Sequence, residues 1–136
     1  MKNITDKMKK MNKKAEKHKE KGDSHELRGN SYRMVRSYKK AAEHYIELAN
    51  LGREARESGD NFSMTRYETG AAYEKAGELY FKVGKLKEAH NCFTNAFSST
   101  STSEKNKMRE KAEKVRGLVV KTYEDKCWSE ILGWEK

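Results

Sequence analysis

The side chains of this chain best suited to chemistry are four histidines, His18, His25, His44 and His90, and two cysteines, Cys92 and Cys127. A metal centre or a nucleophilic site needs such groups gathered, with a base beside a nucleophile or ligands at short spacing. Here they are scattered. His90 and Cys92 stand nearest to each other, but two residues along a helix is a rotation of about 200°, which sends the side chains to different faces. His44 adjoins the apolar position Tyr45 and reads as a boundary residue. The cysteines match neither a metal motif nor a disulfide framework and read as buried thiols. A glycine-rich phosphate loop is also missing, and Gly29 and Gly77 are better placed for helix packing. These residues predict a protein that is not an enzyme and uses no cofactor and no metal.

The elements that would carry any binding chemistry come from an internal repeat. Gly29, Tyr32, Val35, Tyr38, Ala41, Tyr45 and Leu48 are answered 48 residues later by Gly77, Tyr80, Val83, Leu86, Ala89, Phe93 and Ala96. Small and aromatic positions fall at helical intervals, with a break expected between Val35 and Tyr38 and between Val83 and Leu86. Each copy then reads as a helical hairpin, a unit that buries its apolar face only by stacking on another.

Along the chain, Ile4, Met8, Met11 and Ala15 mark a narrow apolar stripe on a charged helix over residues 4–20. Gly22 and Asp23 read as a break, with Asp23 and Glu26 forming a capping box for a second helix to about Arg36. Ser37 then caps a third helix over about 38–57. Ser58, Gly59 and Asp60 end it, and a fourth helix follows over about 61–83, closed by Gly84. A fifth covers about 86–98. Residues 98–103 are all serine or threonine and predict a loop, after which Ser101 and Glu104 open a last helix to about 133. The expected organisation is a basic N-terminal helix or arm over 1–22, two hairpins over 23–98, and the loop with its closing helix over 99–136. Proline is absent and no apolar run approaches the roughly 20 residues needed to cross a bilayer, so the fold class is all-α and the expected location cytoplasmic.

The net charge is +9, and residues 1–29 carry ten Lys or Arg against five Asp or Glu. This arm either keeps the protein soluble or contacts an acidic partner, an anionic membrane or nucleic acid. It carries no aromatic residue on which bases could stack.

The pairing of Gly29 with Ala41 and Gly77 with Ala89, and of Tyr32 with Tyr45 and Tyr80 with Phe93, resembles the tetratricopeptide repeat, as does the turn Gly84-Lys85-Leu86. The resemblance implies a right-handed α-solenoid of antiparallel hairpins with five to six helices. The usual period is about 34 residues. The longer one here is similar to the long-helix variants among the soluble NSF attachment proteins, which Gly29-Asn30-Ser31-Tyr32-Arg33-Met34 and Glu88-Ala89-His90-Asn91-Cys92-Phe93 also resemble. That family implies a non-catalytic adaptor in vesicle or protein transport, holding a partner's peptide or helix in a concave groove lined by the first helix of each hairpin. The residues carried there are Asn30, Arg33, Arg36, Arg66, Lys75 and Lys82, a basic set suited to an acidic or helical partner. Trp128 and Trp134 either seal the end of the stack or touch a partner, and an end left bare could be covered by a second copy in a homo-oligomer.

Overall fold

The computed structural model describes residues 4–59, 68–99 and 102–132, and the side chains of all of these except 102–103 and 122–132. Among the described residues the chain is all-helical: α1 Ile4–Leu27, α2 Ser31–Glu57, α3 Thr69–Lys82, α4 Leu86–Ser99 and α5 Thr102–Leu132. Each helix packs chiefly on its neighbour in the chain, α1 on α2, α2 on α3, α3 on α4 and α4 on α5.

The first difference from expectation is in α1. Its inward stripe does not stop at Ala15 but continues by the same steps through His18 to Gly22, with Met8, Ala15 and Gly22 buried. Gly22 was expected to end the helix; instead the helix runs through it because the Tyr38 ring lies directly against it. A Cβ on Gly22 would sit 2.6 Å from Tyr38 Cδ1 and Cε1. That close approach offsets the roughly 1 kcal/mol by which glycine disfavours a helix interior. Asp23 and Glu26 likewise are not a capping box but serve tertiary contacts. Asp23 accepts the Tyr38 hydroxyl hydrogen bond, and Glu26 Oε1 lies 3.0 Å from Lys82 Nζ. The boundary expected at residue 22 therefore does not exist: residues 4–22 are part of the first hairpin.

The second difference is the missing break at Ser37. α2 is continuous, and the chain reverses instead at Gly29, whose φ of 74° is one that glycine reaches without strain. Around it, Arg28, Gly29 and Asn30 donate backbone hydrogen bonds to Ser24, Glu26 and His25. The Asn30 side chain then caps α2 by accepting from the Arg33 N–H at 3.1 Å. In the α3–α4 turn, Val83, Gly84 and Lys85 donate in the same way to Leu79, Phe81 and Tyr80, with Gly84 at φ 80°.

Each of these residue pairs is 55 apart, so the structural repeat is 55 residues and not 48. Gly77 faces Phe93 as Gly22 faces Tyr38, a Cβ on Gly77 falling 2.8 Å from Phe93 Cε1. The difference of seven residues is about two helical turns, which returns the pattern to the same face. Gly29 follows Gly22, and Tyr45 follows Tyr38, by that interval. The first hairpin is thus α1 with α2, and two supposed core residues leave the core: Gly29 has open space where a Cβ would be, and Tyr32 is 77% exposed.

The remaining elements follow the sequence closely. α4 runs to Ser99, one residue beyond expectation, and α5 is described from Thr102 to Leu132. Ser98, Ser99, Thr102 and Ser103 of the expected loop are helical. The expected fourth helix is the exception: it begins only at Thr69, after Glu68, whose extended backbone (φ −65°, ψ 126°) precludes a helix continuous from residue 61; residues 61–67, and Ser101 of the expected capping box, lie outside the described residues. α2 meets α3 closely where Gly52 approaches Thr69, whose Oγ1 would be 2.5 Å from a Cβ at Gly52. α5 is tied back to α3 by Lys111, which bonds Glu74 and, at 2.7 Å, Glu78.

Candidate functional site

Because α1 and α3 both pack against α2, they stand as two walls with α2 as the floor. The groove between them has a volume of about 520 Å³. Glu16, Lys19, Glu20 and Asp23 line the α1 wall, Lys75, Glu78, Leu79 and Lys82 the α3 wall, and Tyr38 and Tyr45 the floor. Both lysines of the α3 wall lie over floor rings: Lys75 Nζ is 5.5 Å from the Tyr45 centroid and Lys82 Nζ 5.1 Å from that of Tyr38. Such cation–π contacts keep an ammonium over an aromatic face while leaving its other donors free.

The groove's titrating groups are coupled. Burial, then the hydrogen bond to the Asp23 carboxylate, pushes the Tyr38 phenol up to about 12. The same bond holds Asp23 below its ordinary value, and the Glu26 contact raises the Lys82 ammonium. All of these shifts keep Asp23 charged, Lys82 charged and Tyr38 protonated near neutrality. Near neutrality these three groups therefore stand in fixed charge states. Cys92 is equally unsuited to chemistry, since burial pushes its thiol up to about 12 and leaves almost no thiolate. Among the described residues no group of three or more His, Cys, Asp or Glu is arranged to hold a metal ion.

Of the sequence-predicted contact residues, Lys75 and Lys82 lie on a groove wall. Arg33 and Arg36 do not: they are exposed on the first turns of α2, and Asn30 is that helix's cap. The seven-residue shift in register moved them off the first helix of the hairpin. Arg66 and Trp134 lie outside the described residues, as does the Trp128 side chain. The groove also departs from the basic character expected of it, with four carboxylates facing three ammoniums. Sequence reasoning missed Glu16, Glu20, Asp23 and the floor tyrosines as groove residues. The continuing three-four step from Ala15 through His18 to Gly22 was the signal that α1 belonged to the hairpin.

The same step brings His18 against His44, their rings stacked with centroids 5.3 Å apart and planes inclined by 16°. Burial, then the neighbouring His44 and the ammoniums of Lys21, Lys40 and Lys17, lowers the His18 pKa below 6.5. The folded state therefore binds fewer protons than the unfolded chain in this range, and stability falls as pH drops. The contribution is complete above about 6.5 and is lost as pH falls through the lowered folded value. Thermal midpoints measured from pH 7.5 to 5.0 are expected to decline for the native protein and to decline less for His18→Gln; equal slopes would refute this assignment.

Compared with protein-family models, characterised proteins and solved structures, the chain matches none.

Proposed function

We propose that the protein is a non-catalytic adaptor of tetratricopeptide type, an α-solenoid of hairpins that holds a peptide or helical segment of a partner protein in the groove between α1 and α3. The observation that carries this reading is the groove itself: aromatic floor, charged walls, and walls supplied by the first helix of each hairpin. Packing of each helix on its chain neighbour supports the solenoid. The 55-residue repeat supports the long-helix form seen in the NSF attachment proteins, and with it a part in cytoplasmic vesicle or protein transport. No described helix is long and apolar enough to cross a membrane, which agrees with that setting.

The wall charges refine the partner. A uniformly acidic segment would meet Glu16, Glu20 and Asp23 on the α1 side, and repulsion there would offset its attraction to Lys75 and Lys82. The matching ligand sets basic groups against α1 and acidic groups against α3, above the Lys75 and Lys82 side chains that cover the rings of Tyr45 and Tyr38. Peptide display on the immobilised protein is expected to enrich such mixed-charge sequences. An enriched peptide should lose roughly tenfold or more in affinity with Glu20→Lys, Lys75→Glu and little with Arg33→Glu, Arg36→Glu, as expected for removing close charge pairs worth about 1.5 kcal/mol or more. Failure to enrich any peptide, or loss confined to the arginine variant, would refute the groove.

A further inference from the structure

α1 has a second regular stripe, one residue before its buried one. Lys7, Lys10, Lys14, Lys17 and Lys21 recur at steps of three and four and are all exposed. Over this span a helix rises about 21 Å, so the five ammoniums form a nearly straight row. None of them is in an ion pair of the described residues, in contrast to Lys19, which pairs with Asp23 on the groove side. Lys7 and Lys10 share a cleft with Asp6 and with Glu47 and Glu54 of α2, which partly neutralise that end. Nearer the hairpin turn the row gains a further cation. There Lys17 and Lys21 are joined across the α1–α2 seam by Lys40, all three acting electrostatically on His18.

We propose that this row, with Lys40, is a docking face for the phosphate backbone of a nucleic-acid duplex. The argument is one of matching chemistry. Protein interfaces are built around aromatic and apolar anchors and are depleted in lysine. The row has no such anchor, because Met8 and Ala15 are fully buried and Met11 packs against the same core. For the same reason α1 has no apolar face to lay into a bilayer, as an interfacial helix requires. Single strands are held by stacking on aromatic rings, but α1 has no Phe, Tyr or Trp between Ile4 and Leu27 and its His18 ring is already stacked on His44. A duplex backbone asks only for point charges in a regular row, and a 21 Å row would run beside about six base pairs of duplex. A row of lysines laid along the backbone makes phosphate contacts, which carry no sequence information, so binding is independent of sequence. Leu27 and Tyr32, 90% and 77% exposed, sit at the hairpin turn beyond the last lysine and provide the test against a membrane.

The experiment is fluorescence anisotropy with a labelled duplex of about 20 base pairs, titrated between about 50 and 200 mM salt. Binding is expected, with a salt slope that becomes shallower by about 2 to 3 in Lys14→Gln, Lys17→Gln, Lys21→Gln, since each phosphate contact contributes about 0.9. Lys85→Gln, Lys87→Gln, Lys121→Gln, which removes three exposed lysines elsewhere, should leave the slope unchanged. Circular dichroism confirms that both variants fold. Absence of duplex binding at the lowest salt overturns the proposal, as does an equal loss of slope in the two triple variants. Tighter binding to phosphatidylserine vesicles than to duplex, abolished by Leu27→Ser, Tyr32→Ser, assigns the face to a membrane and also overturns it, as does polyglutamate competing with the labelled protein as well as unlabelled duplex.

Discussion

Tyr38→Ala is expected to destabilise the protein by about 3–5 kcal/mol, the range for truncating a large buried aromatic. Tyr38 is 0% exposed and among the largest fully buried side chains. Its ring covers Gly22, the point of closest approach between α1 and α2, and it forms part of the groove floor. Removal would leave a cavity that a glycine backbone cannot fill, because helices do not collapse by the width of a ring. For a chain of this size the loss corresponds to a fall in Tm of roughly 10 °C or more. Tyr38→Phe separates packing from hydrogen bonding. It keeps the ring and removes the donor to Asp23, whose carboxylate stays accessible to water, so the expected loss is only about 1 kcal/mol. It should also alter acid sensitivity. With its pKa held below 3.8 by that bond, Asp23 contributes stability that is complete above its unfolded value and disappears as pH falls through the folded one. Urea unfolding at pH 7 and at pH 3 checks both parts: the gap between native protein and Tyr38→Phe should narrow at the lower pH. A Tyr38→Ala protein as stable as the native one would mean that the α1–α2 contact is not as described.

Gly77→Ala reverses the usual effect of its substitution. In an unobstructed helix, alanine for glycine stabilises by about 1 kcal/mol. At Gly77 the new methyl would sit 2.8, 2.9 and 3.0 Å from three atoms of the Phe93 ring. That ring is itself buried and cannot swing aside. Overpacking of this kind costs about 1–3 kcal/mol, and it outweighs the propensity gain. Gly117→Ala, on α5 with nothing within 4 Å of the added atom, isolates the propensity term and is expected to stabilise by about 0.8–1 kcal/mol. Opposite signs at the two sites, read from urea midpoints with unchanged m-values, would confirm that Gly77 is glycine for closeness to Phe93. The variant Gly77→Ala, Phe93→Leu should lose less than the sum of its single changes, because the smaller side chain makes room for the methyl. Additivity in that pair would refute the mechanism.

These glycines also separate what local sequence can show from what packing decides. The sequence alone determined the helical class, the span of α4 to within a residue, and the turn at Gly84. Helical periodicity and a left-handed glycine are local properties, readable over a few residues, whereas the caps expected at Asp23 and Ser37 lie inside continuous helices. It also contained the inward face of α1, in steps that simply continued past Ala15. What the tertiary structure decided was register. A helix returns to the same face after about seven residues, so Gly22 and Gly29, or Tyr38 and Tyr45, are interchangeable in any pattern of small and large residues. They are distinguished only by which glycine meets a ring, and that is a contact between helices. The same shift moved Arg33 and Arg36 off the groove, brought Glu16, Glu20 and Asp23 into it, and exposed the lysine row as a surface of its own. Charge composition along a chain is a sum; the charge of a groove depends on which two helices face each other.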